Sequence, residues 1–222
     1  MNTFPLQLRD GHLFIELSGE LWLLDTGAPN SFGPNGNFSL AGEQFRLGSN
    51  CLGLTAATLS GFVGVQCVGL LGADVLGRFD IIFDVPNNTV SISTEELSFP
   101  GQSVPLSEFM GIPILTAQIC GRDFRMFFDT GAQISYLQDD SLAEFPAAGQ
   151  VSDFYPGVGR FQTETHTIDA RVGASSFSVR CGSLPGLLGM TLMMAATQGI
   201  LGNQILHERK AGYFPRRKKI IL

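Results

Sequence analysis

Two copies of the tetrapeptide Asp-Thr-Gly-Ala contain the residues best suited to chemistry. The first begins at Asp25 and the second at Asp129, and each follows an apolar run that is typical of a buried strand. The flanking residues also match, since LWLLDTGAPNSF at 21–32 parallels RMFFDTGAQISY at 125–136. Each carboxyl group therefore sits beside apolar residues, where burial is costly unless the group is hydrogen-bonded or its pKa shifts.

Equivalent positions in a duplicated chain predict that the two loops meet across a pseudo-twofold axis. The Gly of each motif allows a sharp turn and a close approach of the other loop, and each Thr hydroxyl can bond backbone across the contact. Two carboxyl groups in contact cannot both ionise, so they share one proton. Such a pair can hold a water, with the carboxylate as its general base and the protonated carboxyl as a hydrogen-bond donor to a substrate carbonyl.

A second internal match identifies the elements that must position these loops. Residues 70–92 align without a gap with residues 200–222. The chain is therefore interpreted as an N-terminal lobe, residues 1–100, and a C-terminal lobe, residues 101–222. A Pro-, Gly- and Ser-containing stretch at about 95–105 is the predicted linker.

Each copy is predicted to begin with strands and to close with a hairpin. Ser18-Gly19 and Cys120-Gly121 predict early turns, and Pro86-Asn87-Asn88 predicts the closing turn of the first copy. The matching turn of the second copy contains the basic cluster 216–219. We therefore interpret that cluster as a solvated hairpin tip rather than as a nucleic-acid or membrane patch.

The composition favours a compact, β-rich protein. The 222 residues include 27 Gly and 18 Phe, and 44% are hydrophobic while only 15% are charged. High hydrophobicity with low charge excludes a disordered chain, and collagen-like and coiled-coil patterns are lacking. The net charge of −6 argues against a nucleic-acid partner.

Two stretches without charged residues, 47–73 and 181–206, raise the possibility of membrane helices. Both contain several Gly and scattered polar residues, so we predict core strands with tight turns instead. The N-terminus lacks a basic region followed by an apolar one, so we expect no signal peptide and a cytoplasmic location. The cysteines lack paired spacing and are expected to be buried free thiols: Cys51, Cys67, Cys120 and Cys181.

These motifs resemble those of aspartic proteases of the pepsin/retropepsin clan. The resemblance rests on LLDTGA at 23–28, FFDTGA at 127–132, LLGAD at 70–74 and ILGNQ at 200–204, and it spans nearly the whole chain. It implies an all-β fold of two β-barrel-like lobes with a central cleft. In the family, the later apolar-apolar-Gly segment of each lobe crosses behind the catalytic loop.

The resemblance also implies roles for individual residues of the two loops. Asp25 and Asp129 would be the catalytic pair, and two Thr residues would interlock to brace the loops. The Gly residues would offer backbone carbonyls to the substrate. The supporting residues are Thr26, Gly27, Ala28, Thr130, Gly131 and Ala132.

Ala28 and Ala132 depart from the pepsin pattern. Pepsin-like enzymes usually have Ser or Thr after the motif, whereas retroviral proteases have Ala. A hydroxyl there would donate to the carboxylate and lower its pKa. Without it, we expect a working pH nearer weak acid or neutrality, and a pH optimum below about 3 would contradict this interpretation.

The two copies differ in length between the Asp and the later Gly. The interval is 47 residues from Asp25 to Gly72 and 73 residues from Asp129 to Gly202. The extra segment, at roughly 140–168, has the pattern of a hairpin. A flap occupies this region in the family, so we predict one flap at about 150–168 and none in the first lobe. Its candidate substrate-binding residues are Phe154, Tyr155, Gly157 and Gly159.

The sequence thus predicts a monomeric aspartic endopeptidase that binds a polypeptide substrate as an extended strand. No cofactor, metal, nucleic acid or membrane is expected, since His12, His166 and His207 are isolated. One alternative is the same fold acting as a peptide-binding or interaction module with little turnover. Another is an actin-like ATPase or sugar kinase, whose phosphate loop resembles DTGAPNS. That fold needs long helices, which the pattern does not support.

Overall fold

The computed structural model describes residues 1–155 and 158–222, and strands dominate both halves of the chain. We call residues 1–100 the first half and residues 101–222 the second half. The elements of the first half are β1 (Asn2–Arg9), β2 (His12–Leu17), β3 (Glu20–Leu24), β4 (Gly36–Leu40), β5 (Glu43–Leu47), β6 (Asn50–Cys51), β7 (Leu54–Thr55), α1 (Ala56–Val63), β8 (Gly69–Leu71), α2 (Ala73–Leu76), β9 (Asp80–Asp84) and β10 (Thr89–Ser93).

The second half repeats much of this order and adds a long hairpin. Its elements are β11 (Ser103–Pro105), β12 (Ser107–Phe109), β13 (Ile112–Ile119), β14 (Arg122–Phe128), β15 (Ser135–Leu137), β16 (Ala147–Tyr155), β17 (Gly159–Val172), β18 (Ser175–Gly182), α3 (Gly186–Met194), β19 (Gly199–Leu201), β20 (Lys210–Phe214) and β21 (Lys219–Ile221).

Tight turns lie where the sequence predicts them. Ser18-Gly19 connects β2 to β3, Cys120-Gly121 connects β13 to β14, and all four residues have positive φ. Positive φ at both central residues gives a turn whose twist matches that of the flanking strands. The closing turns are also confirmed, as short 3₁₀ segments at Val85–Asn87 and Pro215–Arg217.

Two large sheets and two two-stranded sheets, β4-β5 and β6-β7, build the described part of the molecule, and one of the large sheets crosses the boundary between the halves. The second-half sheet has the order β12-β13-β14-β19-β15-β18-β17-β16. The other runs β11-β21-β20-β9-β10-β1-β2-β3-β8, so the final hairpin pairs with β9 of the first half. The predicted linker ends in β11, which pairs with β21. The two halves are thus joined by continuous hydrogen bonding as well as by the chain.

The interpretation of 216–219 as a solvated tip holds for the exposed Arg216 and Lys218 but is wrong for Arg217, which is half-buried. The Arg216 and Arg217 side chains both donate to the carboxylate of Asp80, which is fully buried in the first half. Arg217 also donates to the backbone carbonyl of Leu97, at 2.8 Å. The buried carboxylate attracts the guanidinium groups, and only Lys218 remains exposed without such a contact among the described residues.

The two uncharged stretches contain short helices as well as strands, which corrects the expectation of strands and turns alone. Helix α1 lies in the first stretch and α3 in the second. Thr55 caps α1 by accepting a hydrogen bond from the Thr58 N–H, while the Thr58 hydroxyl accepts one from the Thr55 N–H. Over residues 1–155 and 158–222, no helix is long and apolar enough to cross a membrane.

The cysteines are free, although not all are buried. Cys67 and Cys181 are buried as predicted, whereas Cys51 is half-buried and Cys120 is exposed. Cys120 occupies the tight turn after β13, and this position explains its exposure.

Candidate active site

Each Asp-Thr-Gly loop begins where a buried strand ends. Asp25 follows β3, and its N–H donates to the carbonyl of Leu71 at 3.0 Å; Asp129 follows β14, and its N–H donates to Leu201 at 3.0 Å. Strand β8 runs parallel to β3, and β19 runs parallel to β14. The same local architecture therefore positions both carboxyl groups.

The later Gly of each half permits a close crossing behind its loop. A Cβ at Gly72 would lie 2.6 Å from the carbonyl oxygen of Ala28, and one at Gly202 would lie 2.4 Å from that of Ile134. Both distances are far below van der Waals contact with backbone atoms. Glycine is needed at both positions, as the internal match predicts.

The two threonines interlock across the pseudo-twofold axis. The N–H of Thr26 donates to the Thr130 hydroxyl oxygen, and the N–H of Thr130 donates to that of Thr26, both at 3.0 Å. The Thr26 hydroxyl donates to the carbonyl of Phe128 at 2.7 Å, and the Thr130 hydroxyl to that of Leu24 at 2.8 Å. Both Thr residues are fully buried, so these four hydrogen bonds fix the loops against each other.

This bracing brings the two carboxyl groups together. A Cβ on Gly27 would lie 2.2 Å from Cγ of Asp129, and one on Gly131 would lie 2.4 Å from Cγ of Asp25. Each carboxyl group thus packs over the glycine of the opposite loop, so the two carboxyl groups lie side by side. Both Asp residues are half-buried.

The surroundings of the pair favour retention of one proton. Burial raises the pKa of Asp25 well above its usual range, and the negative charge of Asp129 raises it further. Burial also raises the pKa of Asp129, although hydrogen bonds from Asp25 and from backbone N–H groups oppose this. One carboxylate and one protonated carboxyl are therefore the favoured state in weak acid.

Backbone groups take the place of a hydroxyl donor at both carboxyls. Oδ1 of Asp25 accepts from the Ala28 N–H at 2.8 Å, while Oδ1 of Asp129 accepts from Gly131 at 2.9 Å and from Ala132 at 3.2 Å. The two Ala side chains add only methyl groups at these positions.

Above the pair lies a cavity of about 130 Å³ between the halves. Phe32, Leu59 and Leu70 line the wall on the first half, and Phe161, Leu184 and Ile200 line the wall on the second half. Each wall belongs to a separate apolar cluster. The site thus has two apolar walls with the carboxyl groups on the floor between them.

The long hairpin of β16 and β17 covers the cavity. Tyr155 lines it, as predicted, and so does Phe154. Gly159 opens β17 with φ +87°, and a Cβ added there would have no neighbour within 4 Å. Among the described residues, Gly159 does not line the cavity. Gly157 lies outside the described residues.

The hairpin ends on α1 of the opposite half, a contact that sequence reasoning missed. The rings of Phe154 and Phe62 stack with centroids 4.6 Å apart and an interplanar angle of 10°. Arg160 donates to the carbonyl of Gly61 at 2.6 Å and lies 5.4 Å from the centroid of the Phe62 ring. The Gly61 carbonyl is in the last turn of α1, where carbonyls lack helical partners and a cation is favourable.

A second contact anchors the same hairpin to its own half. The Tyr136 hydroxyl donates to the carboxylate of Asp153, and both residues are buried and line the cavity. The other oxygen of Asp153 accepts from the Phe154 N–H at 2.7 Å. Burial and the negative charge of Asp153 raise the pKa of Tyr136 far above its usual range, so its hydroxyl remains a donor.

The first half contributes its own short hairpin to the cavity. Strands β6 and β7 form a tight turn in which Leu52 has φ +49° and is 78% exposed. Leu52, Cys51 and Leu54 all line the cavity. The expectation of no substantial flap in the first half overlooked this small hairpin, whose strands are only two residues each and carry little strand signal.

Comparisons with known proteins identify the fold. No protein-family model matches the chain, and no curated protein matches it either. Among 185 matching chains of solved structures is an aspartic proteinase from Irpex lacteus, with a TM-score of 0.54 and 11% sequence identity. The match covers 99% of this chain and 96% of that one. The chain therefore has an all-β, pepsin-like fold.

Proposed function

We propose that this protein is an aspartic endopeptidase whose catalytic groups are Asp25 and Asp129. The supporting observation is the contact between two carboxyl groups on the floor of a cavity between the halves. Buried contact makes full ionisation of the pair unfavourable, so one shared proton is retained. A carboxylate and a carboxylic acid in contact can supply a general base and a general acid in the same step.

Peptide hydrolysis follows from this arrangement. A water held between the carboxyl groups gives a proton to the carboxylate while its oxygen attacks the scissile carbonyl carbon. The protonated carboxyl donates a hydrogen bond to the carbonyl oxygen, where negative charge develops. The proton then passes to the amide nitrogen, the C–N bond breaks, and the pair returns to its singly protonated state.

The substrate proposed for this site is a polypeptide in extended conformation. An extended strand presents side chains alternately to opposite sides, which suits a cavity with one apolar wall on each half. The Gly27 carbonyl can accept a hydrogen bond from the peptide backbone. The long hairpin lies over this path and acts as the flap, with Tyr155 on its substrate side.

One observation favours a second function, that of a peptide-binding module with little turnover. The long hairpin contacts α1 across the cavity, and a substrate can enter only when that contact opens. Slow opening would leave a protein that retains peptides more readily than it cleaves them.

A peptide library incubated with the wild type and with Asp25→Asn and Asp129→Asn tests the proposal. We expect the wild type to cleave at apolar sites in weak acid and both variants to lose cleavage by at least about 10³-fold. The matched control is Asp123→Asn, an exposed carboxylate in β14. Cleavage that survives either dyad substitution contradicts the proposed catalytic pair, and binding without cleavage by the wild type favours the binding module.

A further inference from the structure

His12 reaches from the first half onto the catalytic loop of the second. It opens β2, is only 3% exposed, and its Nδ1 lies 3.0 Å from the carbonyl oxygen of Gly131. A carbonyl oxygen can only accept, so Nδ1 must carry the hydrogen. The contact therefore fixes the imidazole in a form that donates to the second catalytic loop.

The peptide that receives this hydrogen bond is itself a donor to the catalytic pair. The Gly131 carbonyl and the Ala132 N–H belong to one peptide group, and that N–H donates to Oδ1 of Asp129 at 3.2 Å. Hydrogen bonds in such a chain polarise one another, so donation by His12 strengthens the donor that faces Asp129. A stronger donor favours the ionised form of the carboxyl group that it faces.

The first catalytic loop lacks this arrangement. Leu23 and Phe127 occupy equivalent positions in the two copies. Their strand partners are Phe14 and Ile114. The residue two positions before each partner is therefore equivalent, which makes Ile112 the counterpart of His12. The Ile112 side chain has no hydrogen-bond donor. The Ala28 N–H donates to Asp25 in the same way. Over residues 1–155 and 158–222, however, no hydrogen bond reaches the Gly27 carbonyl, which belongs to the same peptide group as that N–H.

A neighbouring contact holds the turn before His12 in place. Among the described residues, this contact is also found at the second loop and not at the first. The Asn203 amide donates to the carbonyl of Gly11 at 2.8 Å and to that of Thr130 at 3.1 Å, so it joins the turn before His12 to the second loop. His207 Nε2 in turn donates to Oδ1 of Asn203 at 2.8 Å. The internal match aligns Ala73 with Asn203, and Ala73 has no side-chain amide.

We propose that His12 is a positioning residue that acts through the Gly131–Ala132 peptide to make Asp129 the ionised member of the pair, leaving the shared proton on Asp25. Asp129 would then be the general base and Asp25 the donor to the substrate carbonyl. These catalytic roles rest on the proposed endopeptidase function, whereas the position of the proton does not. The Gly131 carbonyl, already engaged by His12, is also a poorer acceptor for substrate than the Gly27 carbonyl.

Charged groups face His12 from three elements: Asp10 from its own turn, Asp129 from the second loop and Asp153 from β16. Their negative charges raise the pKa of His12, but burial outweighs them and lowers it overall. The neutral Nδ1–H form is therefore favoured as the pH rises from weak acid.

The test measures each carboxyl group without its partner, by ¹³C NMR titration of the Asp side chains. In Asp25→Asn, where Asp129 remains, adding His12→Phe should raise the pKa of Asp129 by about 0.1 to 0.6 unit, because the Ala132 N–H still donates and loses only the roughly 10–30% strengthening that a further bond in the chain supplies. In Asp129→Asn, where Asp25 remains, the same change should leave the pKa of Asp25 unaltered. His12→Asn places an uncharged amide donor near the position of Nδ1 and should leave the pKa of Asp129 as it is in Asp25→Asn alone.

Equal shifts in both backgrounds, or no shift at Asp129, would overturn the proposal. A shift with His12→Asn as large as with His12→Phe would also overturn it, because the effect would then come from the imidazole charge. Imidazole ¹⁵N shifts of the wild type give a test without substitution at His12, and an Nε2–H tautomer contradicts the relay. None of these readouts needs cleavage, so an inactive wild type that shows the predicted shifts would refute the endopeptidase and leave the relay intact.

Discussion

At the scale of residues, the two carboxyl groups differ chiefly in whether the peptide group that donates to each of them itself accepts a further hydrogen bond. Backbone N–H groups face both, but among the described residues only the second loop receives a further donor from an imidazole. Neither loop has a hydroxyl at the position of Ala28 or Ala132. The pH range of the proposed activity therefore depends on burial, on the mutual repulsion of the pair and on backbone donors.

Introducing a hydroxyl at Ala28 should move one limb of the pH–rate profile. In Ala28→Ser, a hydroxyl that donates to Asp25 stabilises the ionised form of that carboxyl and lowers its pKa. The shared proton is then lost at lower pH, so the pKa that defines the alkaline limb of the kcat/KM profile should decrease by roughly half a unit to one unit. Ala132→Ser is the matched control, and it should lower the pKa that defines the acid limb instead. An alkaline limb that stays in place or rises in Ala28→Ser would contradict this assignment.

At the scale of elements, the distal end of the long hairpin of β16 and β17 is held by contacts to both halves. The Tyr136 contact with Asp153 anchors it to its own half, and Phe154 and Arg160 anchor its distal end to α1. The second anchor joins the hairpin to the opposite half across the cavity. Because Arg160 is exposed, its hydrogen bond and its cation–π contact are each worth little alone, and the aromatic stack adds about 0.5–1.5 kcal/mol.

Removing the second anchor should loosen the hairpin. In Phe62→Ala, amide hydrogen exchange across the hairpin should accelerate several-fold, measured by mass spectrometry in the Asp25→Asn background to avoid cleavage. Arg160→Ala should act in the same direction, with less than the sum of both effects in the double variant. Arg171→Ala, which removes the contact of Arg171 with Gln118, is the control and should leave the hairpin unaffected. Unchanged exchange in Phe62→Ala would show that the contact does not close the cavity.

The sequence predicts those elements whose partners are equivalent by duplication. The two loops, Gly72 and Gly202 could be predicted because a pseudo-twofold axis brings matching residues together. The long hairpin could also be predicted, since the two copies differ in length at that point.

Contacts that break the symmetry could not be predicted from the sequence. His12 and Gly131 are 119 residues apart, and nothing local to either residue indicates the other. The same holds for Arg160 and Gly61, 99 residues apart. The ion pair of Arg217 with Asp80 was missed because Asp80 lies in the other half, and a run of basic residues ordinarily indicates a solvated surface.

At the scale of the whole molecule, a shared sheet and a buried ion cluster join the two halves. Strand β20 pairs with β9, and the Asp80 carboxylate accepts from Arg216 and Arg217 beside that pairing. The site contains one loop from each half, so whatever fixes the halves together also fixes the proposed catalytic pair.

Breaking the cluster should cost far more stability than breaking a surface ion pair. Replacing Arg216 and Arg217 together by Gln leaves the fully buried Asp80 carboxylate without its cations, and we expect a loss of about 3–5 kcal/mol in the free energy of unfolding by urea titration. The control is Glu43→Gln, which removes the exposed pair with Arg78 at 3.7 Å and should cost about 1 kcal/mol or less. Equal losses in the two variants would show that the cluster does not stabilise the joined halves.

Cleavage of a peptide library by the wild type, Asp25→Asn and Asp129→Asn is the decisive measurement for the proposed catalytic pair. We expect cleavage by the wild type in weak acid and the loss of cleavage in each variant, with the fold of all three unchanged by circular dichroism. Cleavage that persists in either variant would contradict the proposed pair, because neither carboxyl group alone supplies both the acid and the base.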